Sequence, residues 1–249
     1  MPADAPPATA PARPLIIATV VLGLAIGLWD LLGQDLAMAR WFGNANGFPY
    51  RDHWLFSGIL HQGARRVAWT LQLGLVLAIW WPVGPLRLLP RRERVQLMLA
   101  TLLTILGIWL LKNESLSSCP WELREFGGVA AYVSHWRWGV PDGGEGVCFP
   151  AGHASAAFAF LTGYFWLRPR APRAAAVWLA VVLLAGTTIG LAQQVRGAHY
   201  MSHTLWTGWL CWVIAAGLYL LLERSPLRRL GPGAAPANAT GPVRPPGRS

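Results

Sequence analysis

Six long apolar runs constrain the fold of this chain more than any other feature of its sequence. Each run holds roughly 14–20 residues, and most charged residues lie between the runs. A helix that crosses a bilayer needs about 20 mostly apolar residues, at a rise of about 1.5 Å per residue. We therefore predict an all-α protein, a six-helix transmembrane bundle. The runs cover residues 14–32, 67–86, 95–111, 154–167, 174–191 and 205–222.

The composition agrees with a protein whose main partner is the bilayer. Hydrophobic residues make up 54% of the chain and charged residues only 13%, against about 25% in soluble domains. The net charge of +10 does not indicate nucleic-acid binding, because the arginines cluster between the apolar runs and form no single basic stripe. Residues 14–223 are the predicted membrane domain. The Pro/Ala-rich segment 1–13 and the basic, Pro/Gly-rich segment 224–249 are predicted to be disordered tails.

The first run permits a second interpretation, as a cleaved signal peptide. Arg13 precedes the run, and the sequence from Ala37 to Ala39 is similar to a cleavage site. Against this, the run is long for a signal core, and polar residues lie just before Ala37. A retained first span is therefore the main prediction.

The distribution of charge predicts the orientation in the membrane. With both termini inside, the internal segments hold 13 basic and three acidic residues, whereas the external segments, counted with Asp30 near the outer end of the first run, hold eight of each. The positive-inside rule favours this arrangement. We therefore predict a multi-pass protein of the inner (plasma) membrane, with both termini cytoplasmic. The long segments 33–66 and 112–153 then face the periplasm or exterior.

Three short polar islands are predicted to lie at this same external face. They are Lys112, which is the only lysine of the chain, residues 149–153 and residues 196–203. Ionisable groups kept beside a bilayer are candidates for function. Together the islands supply a lysine, an arginine and three histidines, which predicts a site for a phosphate group.

Each island has chemistry that suits a phosphate. Gly152 and His153 open a helix, where free amide groups favour an anion. His199 and His203 are four residues apart and share a face if the last helix begins early. One of them can act as a nucleophile that the other orients. Lys112 suits a phosphate oxygen, although it could also simply extend its ammonium group to the lipid headgroups.

Two cysteines and the three remaining histidines say less about function. Cys119 and Cys148 lie in one predicted external segment and are a candidate disulfide, with two free thiols as the alternative. His53, His61 and His135 are interpreted as ordinary loop or interfacial residues without a chemical role.

The islands resemble the signature of the type 2 phosphatidic acid phosphatase superfamily. That signature reads Lys-x6-Arg-Pro, then Pro-Ser-Gly-His, then Ser-Arg-x5-His-x3-Asp. Lys112, Gly152, His153 and His199 stand at the matching positions here. Four positions depart from the pattern, namely Cys119 and Gln193 for arginines, Ala151 for the serine and His203 for the aspartate.

The resemblance implies a six-span lipid phosphatase with its site on the external face and no metal or other cofactor. It implies that His199 is the nucleophile and forms a phosphohistidine, and that His153 is the general acid. Lys112 and the amides at Gly152 and His153 would hold the phosphoryl oxygens. Arg196 or Arg124 would compensate for the missing arginines, and a neutral His203 would accept a hydrogen bond from His199. The expected substrate is a lipid-linked phosphomonoester or pyrophosphate.

Three alternatives stay open from the sequence. A lipid phosphotransferase would use the same covalent step. A metal site could be built from His153, His199 and His203, although Lys112 and Arg196 would repel a cation. The departures from the signature also permit a catalytically weakened or non-enzymatic protein that binds anionic lipid.

Overall fold

The computed structural model describes residues 12–223, and its regular secondary structure in this range is helical apart from two isolated β-bridges. The predicted disordered tails lie outside the described residues, except that the first helix already begins at Ala12. The α-helices are α1 (Ala12–Leu31), α2 (Gln34–Ala39), α3 (Ala64–Leu77), α4 (Arg91–Asn113), α5 (Gly152–Phe158), α6 (Thr162–Leu167), α7 (Pro172–Val195) and α8 (Met201–Glu223). A π-helical segment, Leu55–Gly63, leads directly into α3, and a 3-10 turn, Ala159–Leu161, joins α5 to α6. Three further 3-10 turns are Gly84–Leu88, Pro120–Glu122 and Arg124–Phe126.

Four helices of the described range are long and apolar enough to cross a membrane. They are Arg13–Leu31, Arg91–Asn113, Pro172–Val195 and Met201–Leu222. These helices coincide with the first, third, fifth and sixth of the predicted apolar runs. The chain is therefore an all-α membrane protein, with four of the six predicted spans present as long single helices.

The other two predicted spans differ from the helices in the structure. The second was predicted over residues 67–86, but the helical segment begins earlier, at Leu55, and α3 ends at Leu77. Pro82 and Pro85 explain the early end, since proline cannot continue a helix and also restrains the residue before it. The fourth is divided by the 3-10 turn into the short helices α5 and α6.

Helices α5 and α6 form the centre of the bundle. Phe158 and Leu167 are buried, and the two helices pack against α4, α7 and α8. In contrast, α1 and α7 expose large apolar side chains, including Leu24 and Leu184, as expected for surfaces that face lipid. Within the irregular turn between α5 and α6, the carbonyl oxygen of Phe160 accepts a hydrogen bond from the indole of Trp178 at 2.7 Å. A side chain of the protein thus supplies a partner for a backbone group inside the bundle.

The four helix ends that carry the polar islands lie together. Helices α4 and α7 end there, at Asn113 and Val195, and α5 and α8 begin there, at Gly152 and Met201. At the opposite end of α4, Arg170 forms a bidentate ion pair with Glu93. Its Nη1 donates to Oε2 at 2.5 Å and its Nη2 donates to Oε1 at 2.8 Å. The fold thus separates the arginine-rich connection from the candidate site.

Close packing of α7 against α8 fixes the start of α8. A Cβ atom at Gly190 of α7 would lie 2.1 Å from Cγ2 of Thr204, the residue after His203. We expect Gly190→Ala to lower the free energy of unfolding by about 1–3 kcal/mol, because the added methyl group must displace a packed side chain. Thermal unfolding in detergent measures this as a lower Tm. Gly74→Ala is the matched control, since a Cβ there meets nothing within 4 Å. Equal Tm values for the two variants would contradict the prediction.

Candidate active site

Three predicted histidines meet in one cluster, in which His199 and His203 are buried and His153 is half-buried. His153 lies in the first turn of α5, His199 lies just before α8, and His203 lies in its first turn. The ring centres of His153 and His199 are 6.1 Å apart, and those of His199 and His203 are 5.9 Å apart. Only 3% of His199 is exposed. The structure therefore brings the proposed nucleophile and general acid within reach of one small group.

Cys148 holds two of these histidines. It forms a disulfide with Cys119. Its carbonyl oxygen lies 3.1 Å from Nδ1 of His203, and its Sγ lies 3.4 Å from Nδ1 of His199. A carbonyl oxygen and a disulfide sulfur can only accept, so both Nδ1 atoms donate and both Nε2 atoms keep their lone pairs. Hydrogen bonds thus link each histidine to Cys148, and the expected hydrogen bond from His199 to His203 is not formed.

The surroundings of His199 favour its neutral form. Burial, followed by the nearby Lys112, His203 and His153, lowers the pKa of His199 well below the usual value of 6.5. At neutral pH the imidazole is therefore uncharged. Its Nε2 lone pair is available to attack an electrophile.

Lys112 and Gly152 adjoin at the start of α5. Lys112 lies in the last turn of α4, and its ammonium group donates to the carbonyl oxygen of Val147. A Cβ atom at Gly152 would lie 3.1 Å from Cδ of Lys112. The absence of a side chain at Gly152 therefore lets the lysine reach across the beginning of the helix.

Arg196 is the second cation of the cluster. Its Nη1 donates to Oε1 of Gln193 at 3.0 Å, and its Nε donates to the carbonyl oxygen of Arg51 at 2.8 Å. Burial lowers the pKa of Arg196 below its usual value, but a guanidinium is basic enough to stay charged at neutral pH. Two of its five N–H groups have these partners, so others are available to a ligand.

Comparison with known proteins identifies the family. Residues 93–226, more than half of the chain, match the family model of the PAP2 superfamily, the type 2 phosphatidic acid phosphatases. The chain belongs to the PAP2 superfamily. No curated protein and no solved structure matches it. PAP2 superfamily members are phosphatases, and the match spans helices α4–α8, which carry all three polar islands.

At one position where the chain departs from the PAP2 signature, a nearby arginine lies beside the replaced residue. Gln193 stands where the signature has an arginine, and its side chain accepts a hydrogen bond from Arg196. The guanidinium of Arg196 therefore lies beside the position of the missing arginine. The other missing arginine is Cys119, which the disulfide holds close to the histidines.

Arg124 does not join the cluster. Its side chain is exposed, and its Nε donates to the carbonyl oxygen of Val129 within the same loop. No hydrogen bond or ion pair connects it to the histidines within residues 12–223. Of the two arginines expected to compensate, only Arg196 lies at the site.

Two histidines that sequence reasoning left without a role pack against the cluster. The ring of His61 lies 3.9 Å from that of His153, on the π-helical segment before α3. The ring of His135 stacks on Phe149 at 4.2 Å and meets His203 edge-on at 5.4 Å. No motif marks either residue, so only the fold reveals these contacts.

Proposed function

We propose that this protein is an integral membrane phosphatase that hydrolyses a phosphomonoester or pyrophosphate of a lipid through a phosphohistidine intermediate. The observation that carries this proposal is the pair of half-buried His153 and buried His199, with ring centres 6.1 Å apart beside Lys112 and Gly152. Membership of a phosphatase family supports the reaction class. The apolar helices support a substrate that is itself a lipid.

In the first step, the Nε2 lone pair of His199 attacks phosphorus. The N–P bond forms as the bond to the leaving oxygen breaks, and His153 donates a proton to that oxygen. The leaving group is an alcohol for a monoester and a lipid monophosphate for a pyrophosphate. His153 must therefore carry a proton when substrate is bound, which a phosphate dianion beside it would favour.

In the second step, water replaces the leaving group. His153 accepts a proton from the water as its oxygen attacks phosphorus, and the N–P bond breaks to release inorganic phosphate and restore His199. The transition states of both steps spread negative charge over the phosphoryl oxygens. Lys112, Arg196 and the amides of Gly152 and His153 stabilise this charge, and His203 adds a buried polar group behind the nucleophile.

The proposed membrane setting follows from the charge distribution. Both termini lie in the cytoplasm, the segments 55–77 and 152–167 complete a six-span bundle, and the site opens to the periplasm or exterior. The phosphate headgroup then enters from the outer leaflet. The reaction uses no cofactor, because the nucleophile, the proton donor and the cations all come from side chains.

The replacement at Cys119 favours one rival function. A disulfide sulfur cannot bind phosphate as an arginine does, so this chain has one cationic donor fewer at that position. A catalytically weakened or non-enzymatic protein that binds anionic lipid would still use Lys112 and Arg196. Turnover, rather than binding, separates the two functions.

A substrate panel tests the proposal. Purified protein in mixed micelles is given phosphatidate, phosphatidylglycerol phosphate, a polyprenyl pyrophosphate and lipid A, and both inorganic phosphate and lipid products are measured. We expect release of inorganic phosphate from at least one lipid, with the dephosphorylated lipid in equal amount. Material purified in the same way from cells that lack the protein is the control. Phosphate transferred to an added lipid alcohol would indicate a phosphotransferase, and lipid binding without turnover would contradict the enzyme.

A further inference from the structure

A second cluster of ionisable groups borders the phosphoryl site on the side of His203. It consists of Asp30 at the end of α1, Asp35 in α2 and His135 in the loop of residues 114–151. One ligand atom from each residue lies within 4.8 Å of the other two. The cluster is buried, with 4% of Asp35 and 8% of His135 exposed. Three separate segments of the chain therefore bring two carboxylates and one imidazole to the same buried point.

The hydrogen-bond donors to Asp30 are uncharged. Its Oδ2 accepts from the indole of Trp206 at 2.7 Å and from the indole of Trp136 at 2.8 Å. No lysine or arginine of residues 12–223 forms a hydrogen bond or an ion pair with it. The negative charge of Asp30 is thus stabilised by dipoles alone, except for His135 when that residue is protonated.

The donors to Asp35 are also uncharged. Its Oδ1 accepts from the indole of Trp29 at 2.9 Å and from the amide of Ser202 at 3.0 Å, and its Oδ2 accepts from the hydroxyl of Ser202. Within the described part of the chain, it too has no lysine or arginine partner. Two carboxylates buried side by side without a fixed cation are unfavourable unless a positive charge or a proton joins them.

Two buried atoms of the cluster have no hydrogen-bond partner. They are Oδ1 of Asp30 and Nε2 of His135. The same Nε2 lies 3.5 Å from the other oxygen of Asp30, which is too far for a good hydrogen bond. Buried polar atoms without partners are rare in native structures. A carboxylate oxygen and an imidazole nitrogen that are both unpaired in one cluster are donors that a metal ion uses.

We propose that Asp30, Asp35 and His135 bind a divalent cation of the first transition row, such as Mn²⁺ or Zn²⁺. The ligands are Oδ1 of Asp30, a carboxylate oxygen of Asp35 and Nε2 of His135, and water completes the coordination. The mixture of oxygen and imidazole ligands favours these ions over Mg²⁺. The cation offsets both carboxylates and joins α1, α2 and the loop, and its role is structural because the phosphoryl group reacts elsewhere.

Direct measurement of metal binding tests this proposal. The full-length protein in detergent is stripped with a chelator, transferred to metal-free buffer and titrated with MnCl₂, and free Mn²⁺ is followed by its EPR signal. We expect one tight site per chain, competition by Zn²⁺ and a higher Tm with metal bound. Asp30→Asn and His135→Phe should each weaken the site at least about tenfold.

The choice of variants keeps the test decisive. Asn at position 30 can still accept from both indoles, and Phe at position 135 can still stack on Phe149, so both variants preserve the neighbouring contacts. Glu145→Gln is the matched control, since Glu145 is an exposed acid of the same loop. A wild-type chain with no saturable site for Mn²⁺ or Zn²⁺ would overturn the proposal, and a proton would then balance the carboxylates. Equal affinities for Asp30→Asn and Glu145→Gln would also overturn it.

Discussion

Replacement of His199 by glutamine should abolish lipid phosphate release, with kcat lowered by about 10⁴-fold or more. Glutamine is similar in size and can still donate a hydrogen bond towards Cys148, but it has no lone pair able to form a bond to phosphorus. We also expect the loss of an acid-labile phosphoprotein that the wild type forms when it is quenched during turnover of a labelled substrate. Phosphate release and trapped label measure the two effects on the same preparation.

Two further variants test whether the loss of activity is specific to His199. His53→Gln should keep full activity, since His53 is an exposed histidine that is not part of the cluster. His203→Gln should lower kcat less than His199→Gln and should still trap label. If the labelled phosphoprotein still formed in His199→Gln but not in His203→Gln, the nucleophile would be His203. That result would contradict the proposed mechanism.

Loss of the disulfide should impair both stability and turnover. Cys148→Ala removes the sulfur that faces Nδ1 of His199, as well as the bond to Cys119. We expect a loss of about 2–4 kcal/mol in stability, because the disulfide closes a loop of the unfolded chain. We also expect kcat to fall by about 10²-fold, because the nucleophile is no longer held in one orientation. Thermal unfolding and phosphate release in the same micelles measure the two losses.

Comparison with Cys119→Ala separates the two contributions. That variant also breaks the disulfide, but it leaves the sulfur of Cys148 beside His199. It should therefore match Cys148→Ala in Tm and retain more activity. Cys211→Ala is the control for a cysteine outside the disulfide, since Cys211 is a buried free thiol of α8. Equal activities of the Cys119 and Cys148 variants would show that the sulfur does not orient His199.

The sequence predicts those parts of the molecule that local patterns determine. Apolar runs long enough for a bilayer locate α4, α7 and α8, and the order of Lys112, His153 and His199 along the chain indicates the reacting cluster. Proline explains why the second helical segment ends before residue 86, whereas its early start at Leu55 has no local signal in the sequence. The weaker predictions are therefore those in which helix ends depend on packing.

The rest of the site depends on contacts between distant segments. His61 reaches His153 from a segment that carries no motif, and Asp35 meets Ser202 across most of the chain. Arg124 and Arg196 were equivalent candidates in the sequence, because spacing alone does not show which side chain turns towards Gln193. Such choices depend on the fold of the loops between helices, for which apolar patterns give no information.

The pairing of the first helix with the last has a consequence for synthesis. Asp30 and Asp35 leave the ribosome early, whereas Trp206 and Ser202, which donate to them, are among the last residues to be inserted. Until α8 arrives, two carboxylates near the membrane surface lack these donors. Chains cut short before α8 thus leave Asp30 and Asp35 without the hydrogen bonds that this helix donates to them in the complete chain.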